Sequence, residues 1–204
     1  MNKNRKIKSS ICNTTEPTII AAIDETVVHH GGGVTYVLAG VVFLDSYSAR
    51  QAFRQLLAHR KRPFHWRKEG STIRAAAVEL LETHIAATHL LARSAARHQQ
   101  VAVRRRLLNH LVAGLINDGI DHLIIESQGN DLDRRDRDTV MDAIKSKDPG
   151  PALTYEWLTK TEPLLWYADA LNGVAQEYLA DGEMHHFQRL QGAKIVTQVQ
   201  YVTD

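Results

Sequence analysis

The sequence predicts an α/β fold: a mixed β-sheet with helices on both faces. Three observations predict it. Short apolar runs of strand length, such as 18–23, 34–44 and 120–125, are bounded by Gly, Asp and Pro. Longer segments, above all 97–117, repeat apolar residues at helical spacing. Two early strands stand next to each other, and later strands alternate with helices, which calls for a sheet with both antiparallel and parallel pairs.

The elements follow in order. Residues 1–16 lack periodicity and include Ser9, Ser10, Thr14 and Thr15, so they read as a flexible lead-in to a single domain over 17–204. Thr18–Ile23 is apolar and ends in Asp24 and Glu25, a buried strand that delivers carboxylates to its C-terminal end. Beyond His29 and His30, Gly31–Gly33 supplies a turn, and Val34–Leu44 returns as the antiparallel partner. Asp45 or Ser46 can cap a helix over 47–60, closed by Pro63, and Phe64–Lys68 reads as short and extended.

Ser71 opens a helix over 72–83, and 85–93 is a third strand. The helix over 97–117 carries Leu107, Leu108, Leu111, Val112 and Leu115 and is closed by Asp118 and Gly119. Ile120–Ser127 repeats the first pattern, an apolar run that reaches Glu126. A charged helix from Asp131 or Leu132 to Lys145 is broken by Pro149, Gly150 and Pro151. Leu153–Thr159 is a strand. Thr161 caps a helix to about Ala180, and a short helix near 183–190 precedes a Val/Tyr-containing stretch at 194–202.

Composition sets limits on function. Charged residues at 24% and hydrophobic ones at 44% are a globular balance, not that of a disordered chain. The one cysteine, Cys12, excludes an internal disulfide and a Cys-rich zinc site, and fits a cytoplasmic setting. The basic Met1–Lys8 segment is not followed by an apolar core, so it does not read as a signal peptide. No apolar run nears the ~20 residues of a membrane span, and no membrane partner is expected. A net charge of +2 does not by itself announce a nucleic-acid binder. Basic residues do cluster at 2–8, at 59–62 with Arg67 and Lys68, and at Arg104–Arg106, where surface solvation competes with the steering of an anionic strand.

Three acids stand out by placement: Asp24 and Glu126, each ending an apolar run, and Asp169, on or beside the apolar side of the last long helix. A carboxylate on that side is costly unless it is paired or coordinates a cation. The alternative is a boundary acid bonded to an Arg or a backbone amide. Neighbouring strands can bring Asp24 and Glu126 to one sheet end, and a helix across that end can add Asp169. Hard oxygen ligands of this kind suit Mg²⁺ or Mn²⁺. Such ions activate water and stabilise the leaving oxygen in phosphodiester cleavage.

The segments Ile23–Thr26, Phe64–His65, Ile124–Glu126 and Thr159–Asp169, followed by Gly173, resemble the domain-of-unknown-function family numbered 3800. The similarity spans roughly residues 18–180 through short motifs. It implies a ribonuclease H-like fold and a divalent-metal nuclease acting on RNA or DNA. By that resemblance Asp24, Glu126 and Asp169 are the metal ligands and Glu25 is an auxiliary acid. His65 and Lys160 fall where the family has a His and a Lys, and are expected to contact phosphate. Arg104 and Arg105, from the basic cluster, are expected to steer the strand. The sequence departs from the family pattern at Thr26–Val27 (for Ser-Gly), at Glu126 (for the commoner Asp) and at Trp166 (for Gln), whose ring is expected beside the site, where it would narrow access.

Other features are expected to be structural. His29–His30 and His185–His186 read as loop polarity, Gly31–Gly33 as a hinge, and Asp131–Asp138 as a solvated helix face, with Asp131 a fallback ligand. Trp66 and Trp166 are expected at the surface, where they would serve a homodimer. The expectation is a Mg²⁺- or Mn²⁺-dependent nuclease; the alternative is an inactive domain of the same fold that binds nucleic acid or a protein partner.

Overall fold

The computed structural model describes residues 18–147, 152–196 and 198–203. The expected lead-in at 1–16, Cys12 and the break at 149–151 lie outside the described residues. Six strands, β1 (Ile20–His30), β2 (Gly33–Phe43), β3 (Ile85–Ala95), β4 (His122–Glu126), β5 (Thr154–Leu158) and β6 (Gln200–Tyr201), form one mixed sheet in the order β5-β4-β1-β2-β3-β6. β1, β2 and β3 pair antiparallel, whereas β4 lies parallel to β1 and β5 parallel to β4. The α/β class and the mixed sheet are as the sequence predicts.

Six α-helices cover both faces: α1 (Ser46–Leu56), α2 (Ser71–His84), α3 (Gln100–Asn117), α4 (Asn130–Lys145), α5 (Pro163–Asp181) and α6 (His185–Gly192). Side chains alternate across a strand, so β1 feeds two cores. Ala22 and Val28 join Phe53, Leu81 and Leu171 under α1, α2, α5 and α6. Ala21 and Ile23 join Leu107, Leu111 and Val140 under α3 and α4. Asp24 follows the first set and Glu25 the second.

β1 does not stop at its acids. It runs on through His29 and His30 and turns tightly at Gly31–Gly32, with His30 opposite Gly33, so the two His are strand residues rather than loop residues. Asp24 therefore sits mid-strand opposite Ala39 on β2, one residue beyond the last β1–β4 pair, Ile23 with Ile125. Asp45 caps α1 through the amides of Tyr47 and Ser48, as expected, but the helix ends at Leu56 rather than near 60. Beyond it Arg60 and Arg62 both turn toward the buried Glu69, so the basic 59–62 cluster is partly consumed in holding this loop.

Trp66–Lys68 is a 3₁₀ turn rather than an extended segment. Trp66 and Trp166 are buried at 3% and 7% exposure, which removes the reason for expecting them at a dimer surface. The Trp66 indole lies directly on Gly173 of α5, where a Cβ would come 2.0 Å from Trp66 Cγ. Its Nε1 donates to Glu177, and the Arg74 guanidinium stacks over the ring. Trp166 packs edge-on against Phe53. α5 is capped by Glu162, whose carboxylate accepts from the Leu164 amide, and not by Thr161. Among the described residues, no helix is long and apolar enough to cross a membrane.

Candidate active site

Three elements far apart in the chain meet at one end of the sheet. The parallel register of β1 and β4 sets Ile23 beside Ile125, so Asp24 and Glu126 follow side by side. β5 pairs Leu158 with Glu126 and then releases the chain, which carries Lys160 over the same face. α5 crosses β1 there and turns Asp169 toward the sheet.

The Lys160 ammonium is the centre of the cluster. Its Nζ donates to Asp169 Oδ1 at 2.7 Å and stands 3.6 Å from both Asp24 Oδ2 and Glu126 Oε2. The Trp166 indole N–H donates to the Lys160 carbonyl, fixing the backbone from which this side chain springs. Trp166 is thus a support behind the site and does not line the cleft, contrary to the expectation that it would narrow access. Asp169 is oriented further by the Trp66 backbone N–H, which donates to Oδ2 at 2.7 Å, and His65 Nδ1 stands 3.4 Å from Oδ1.

Charge balance explains the behaviour of these groups. Burial raises the Asp24 pKa well above the ordinary carboxylate value, and the facing Glu126 raises it further, against the lowering pull of Lys160. Burial works to lower the Lys160 pKa, but Asp24, Asp169 and Glu126 outweigh it and hold the ammonium above its usual range. Asp24 Oδ1 accepts from the Glu25 amide, whereas the buried Oδ2 has no hydrogen bond among the described residues. Three carboxylates share one ammonium. The cluster is short of positive charge.

The donor set is chemically right for a hard divalent cation. As the side chains stand, no group of three or more His, Cys, Asp and Glu among the described residues is arranged to hold a metal ion. The Lys160 ammonium occupies the position among the carboxylates that such an ion would need. Withdrawal of Lys160 would leave Asp24, Glu126 and Asp169 to close on a smaller, doubly charged ion.

The cluster opens onto a polar cleft of about 350 Å³ lined by His65, Glu126, Lys160, Asp169, Asn172 and Gln176, among others. Arg67 and Thr26 also reach it, and both donate to Gln176 Oε1, Arg67 at 3.0 Å and Thr26 at 3.4 Å. Arg67, Asn172 and Gln176 were not singled out from the sequence as site residues. The available signal was spacing, since Asn172 and Gln176 follow Asp169 by three and seven residues on one side of α5.

Glu25 is no auxiliary acid to this cluster. It points to the other face of the sheet, although its residue borders the cleft, and its carboxylate takes the Nε–H of Arg104. Arg104 is not a strand-steering residue, because it is buried between Glu25 and Asp136 and bonded to both. Arg105 is exposed but lies on α3, across the sheet from the cleft, and pairs with Asp142. Asp131 is exposed beside Arg134, and it is Glu126, not Asp131, that lines the cleft.

Among known proteins, the chain matches no family model and has no significant match to a curated protein.

Proposed function

We propose that the chain is a divalent-cation-dependent phosphodiesterase of ribonuclease H-like architecture, which cuts RNA or DNA at the Asp24–Glu126–Asp169 cluster. One observation carries this reading: carboxylates from β1, β4 and α5 converge on a single point already chosen by a cation, the Lys160 ammonium. The three-strand meander continued by two parallel strands, with helices on both faces, is in keeping with the fold implied by the resemblance to family 3800.

Bound Mg²⁺ or Mn²⁺ would supply Lewis acidity toward the phosphodiester and an acidified water. The chain's own residues do the rest. Asp24 and Glu126, held on paired strands, and Asp169, held by the Trp66 amide, present preset oxygen donors. Lys160 has a flexible stem, so with a cation bound its ammonium would be free to leave the carboxylates for a phosphate oxygen. His65, at the edge of the cleft, donates to the same phosphate or orients water.

The test is incubation of pure protein with labelled RNA, DNA and hybrid in Mg²⁺ or Mn²⁺, beside Asp24→Asn and Asp169→Asn. Cleavage by the wild type alone is expected; equal cleavage by all three proteins would assign the activity to a contaminant or another site. A second reading is favoured by the same ammonium. If Lys160 permanently replaces the cation, the domain binds nucleic acid or a protein without cutting. That reading requires no stabilisation by Mn²⁺ together with salt-sensitive nucleic-acid binding.

A further inference from the structure

We infer that Asn172 recognises the 2′-hydroxyl of a ribonucleotide, so that the strand taken by the cleft is RNA. The inference rests on the phosphodiesterase reading above and adds the substrate to it. Asn172 is 2% exposed and lines the cleft one helical turn beyond Asp169. Neither Oδ1 nor Nδ2 has a hydrogen-bond partner among the described residues. Few buried polar groups in native proteins are left this way, and an amide with both ends open is rarer than one with a single free lone pair. The next polar side chain along the same side, Gln176, already accepts from Arg67 and Thr26. Asn172 is the amide held in reserve.

Its chemistry narrows the ligand. A phosphate oxygen would satisfy only the Nδ2 donor, and a metal ion only the Oδ1 acceptor. A hydroxyl does both, because it donates and accepts at one atom. Position narrows it further. Residues three apart on a helix have Cβ atoms about 5–6 Å apart. A group at Asn172 therefore lies within one sugar–phosphate step of a phosphate seated over Asp169, where the ribose is, whereas the base projects away from the backbone. The 2′-hydroxyl is the atom that distinguishes RNA from DNA at such a place. Both ends of the amide are shielded from water, so the side chain must turn toward the cleft as the sugar edge docks.

The experiment measures binding of fluorescent single strands of one sequence, made as RNA, DNA and 2′-fluoro RNA, in EDTA so that no cutting occurs. Wild-type protein is expected to favour RNA over both of the others by about tenfold, the usual worth of one hydrogen bond. Asn172→Leu, and Asn172→Ala as a smaller replacement, should bring the three strands to equal affinity. The thermal midpoint of Asn172→Leu should stay level or rise, since an open amide has been removed from a buried place. Equal wild-type affinity for RNA and 2′-fluoro RNA overturns the inference without recourse to any variant. A drop of several degrees in Asn172→Leu also overturns it, because the amide would then have an internal partner. RNA and DNA bound alike, with Mn²⁺-dependent cutting of both, removes the role of Asn172 and leaves the nuclease reading standing. No binding of any strand in EDTA removes the inference, and no Mn²⁺-dependent cutting beside it removes the nuclease reading as well.

Discussion

Asp24 and Glu25 are neighbours in sequence and belong to two different charge clusters, one on each face of the sheet. Glu25 shares Arg104 with Asp136 beneath α3 and α4, and burial pushes both carboxyl pKa values up while the guanidinium pulls them back. That cluster is small and bridged by a planar fork able to bond two acids at once. It too leaves one oxygen, Asp136 Oδ2, unbonded among the described residues, beside a cavity of about 260 Å³. Asp24 shares Lys160 with two more carboxylates, opens onto a cleft and leaves its own Oδ2 unbonded. Both clusters lack full charge compensation. What separates the two clusters here is therefore neither burial nor an unbonded oxygen but the number of carboxylates that share one cation, three around Lys160 and two around Arg104.

The sharpest way to break the comparison is to remove one acid from each side. Asp169→Asn should lower Mn²⁺-dependent cleavage by at least about a hundredfold, the loss that even outer partners of a metal site can produce. Asp136→Asn, on the face covered by α3 and α4, should leave the cleavage rate per folded molecule within a few-fold. If the two variants lose cleavage equally, the two clusters act as one.

Next in size is Arg104→Met. It strands Glu25 and Asp136 in the core and should cost about 3–5 kcal/mol in urea unfolding. Lys160→Met should cost less, on the order of 2 kcal/mol, because its partners keep access to the cleft. It should also make Mn²⁺ raise the thermal midpoint more than in the wild type, since the tethered competitor is gone. A Lys160→Met protein indifferent to Mn²⁺ would count against a cation site there.

Gly173→Ala sharpens the role of the Trp66 clamp. The new Cβ cannot coexist with the indole, so the ring must move and with it the amide that holds Asp169. A loss of about 1–3 kcal/mol is expected, together with weakened Mn²⁺ binding, and unchanged Mn²⁺ affinity would show that the clamp does not orient Asp169.

The smallest effect is a pH slope. Because the folded-state pKa of Asp24 is raised, the folded protein holds a proton that the unfolded chain releases above about pH 4. This contribution to stability is complete below that value and is lost as pH rises through the folded pKa. Asp24→Asn should flatten the slope in that window and stabilise the cation-free protein near neutrality. A slope unchanged by the substitution would assign it to other carboxylates.

Much of this was legible in the residues. Apolar runs closing on Asp24 and Glu126 marked two strands with carboxylates, and an acid beside the apolar stripe of α5 marked Asp169. The separation of Asp24 from Glu25 was legible too, since alternation on a strand sends neighbours to opposite faces. Arg104 was harder. Three consecutive arginines read as one basic patch, but a helix turns about 100° per residue, which sends Arg104 inward and Arg105 outward. Trp66 looked exposed because nothing local showed that Gly173, more than a hundred residues on, leaves a seat for its indole.

The sequence by itself determined the order and kind of the elements and which residues each would carry, because those follow from local periodicity, caps and breakers. Tertiary structure alone decided which charges meet. The parallel register of β1 with β4, the exit of the chain from β5 and the seating of α5 on Trp66 place Lys160 among three carboxylates and leave Asn172 unpaired. Such contacts join residues up to 136 positions apart, as from Asp24 to Lys160, and are set by the packing of whole elements, which no window along the chain contains.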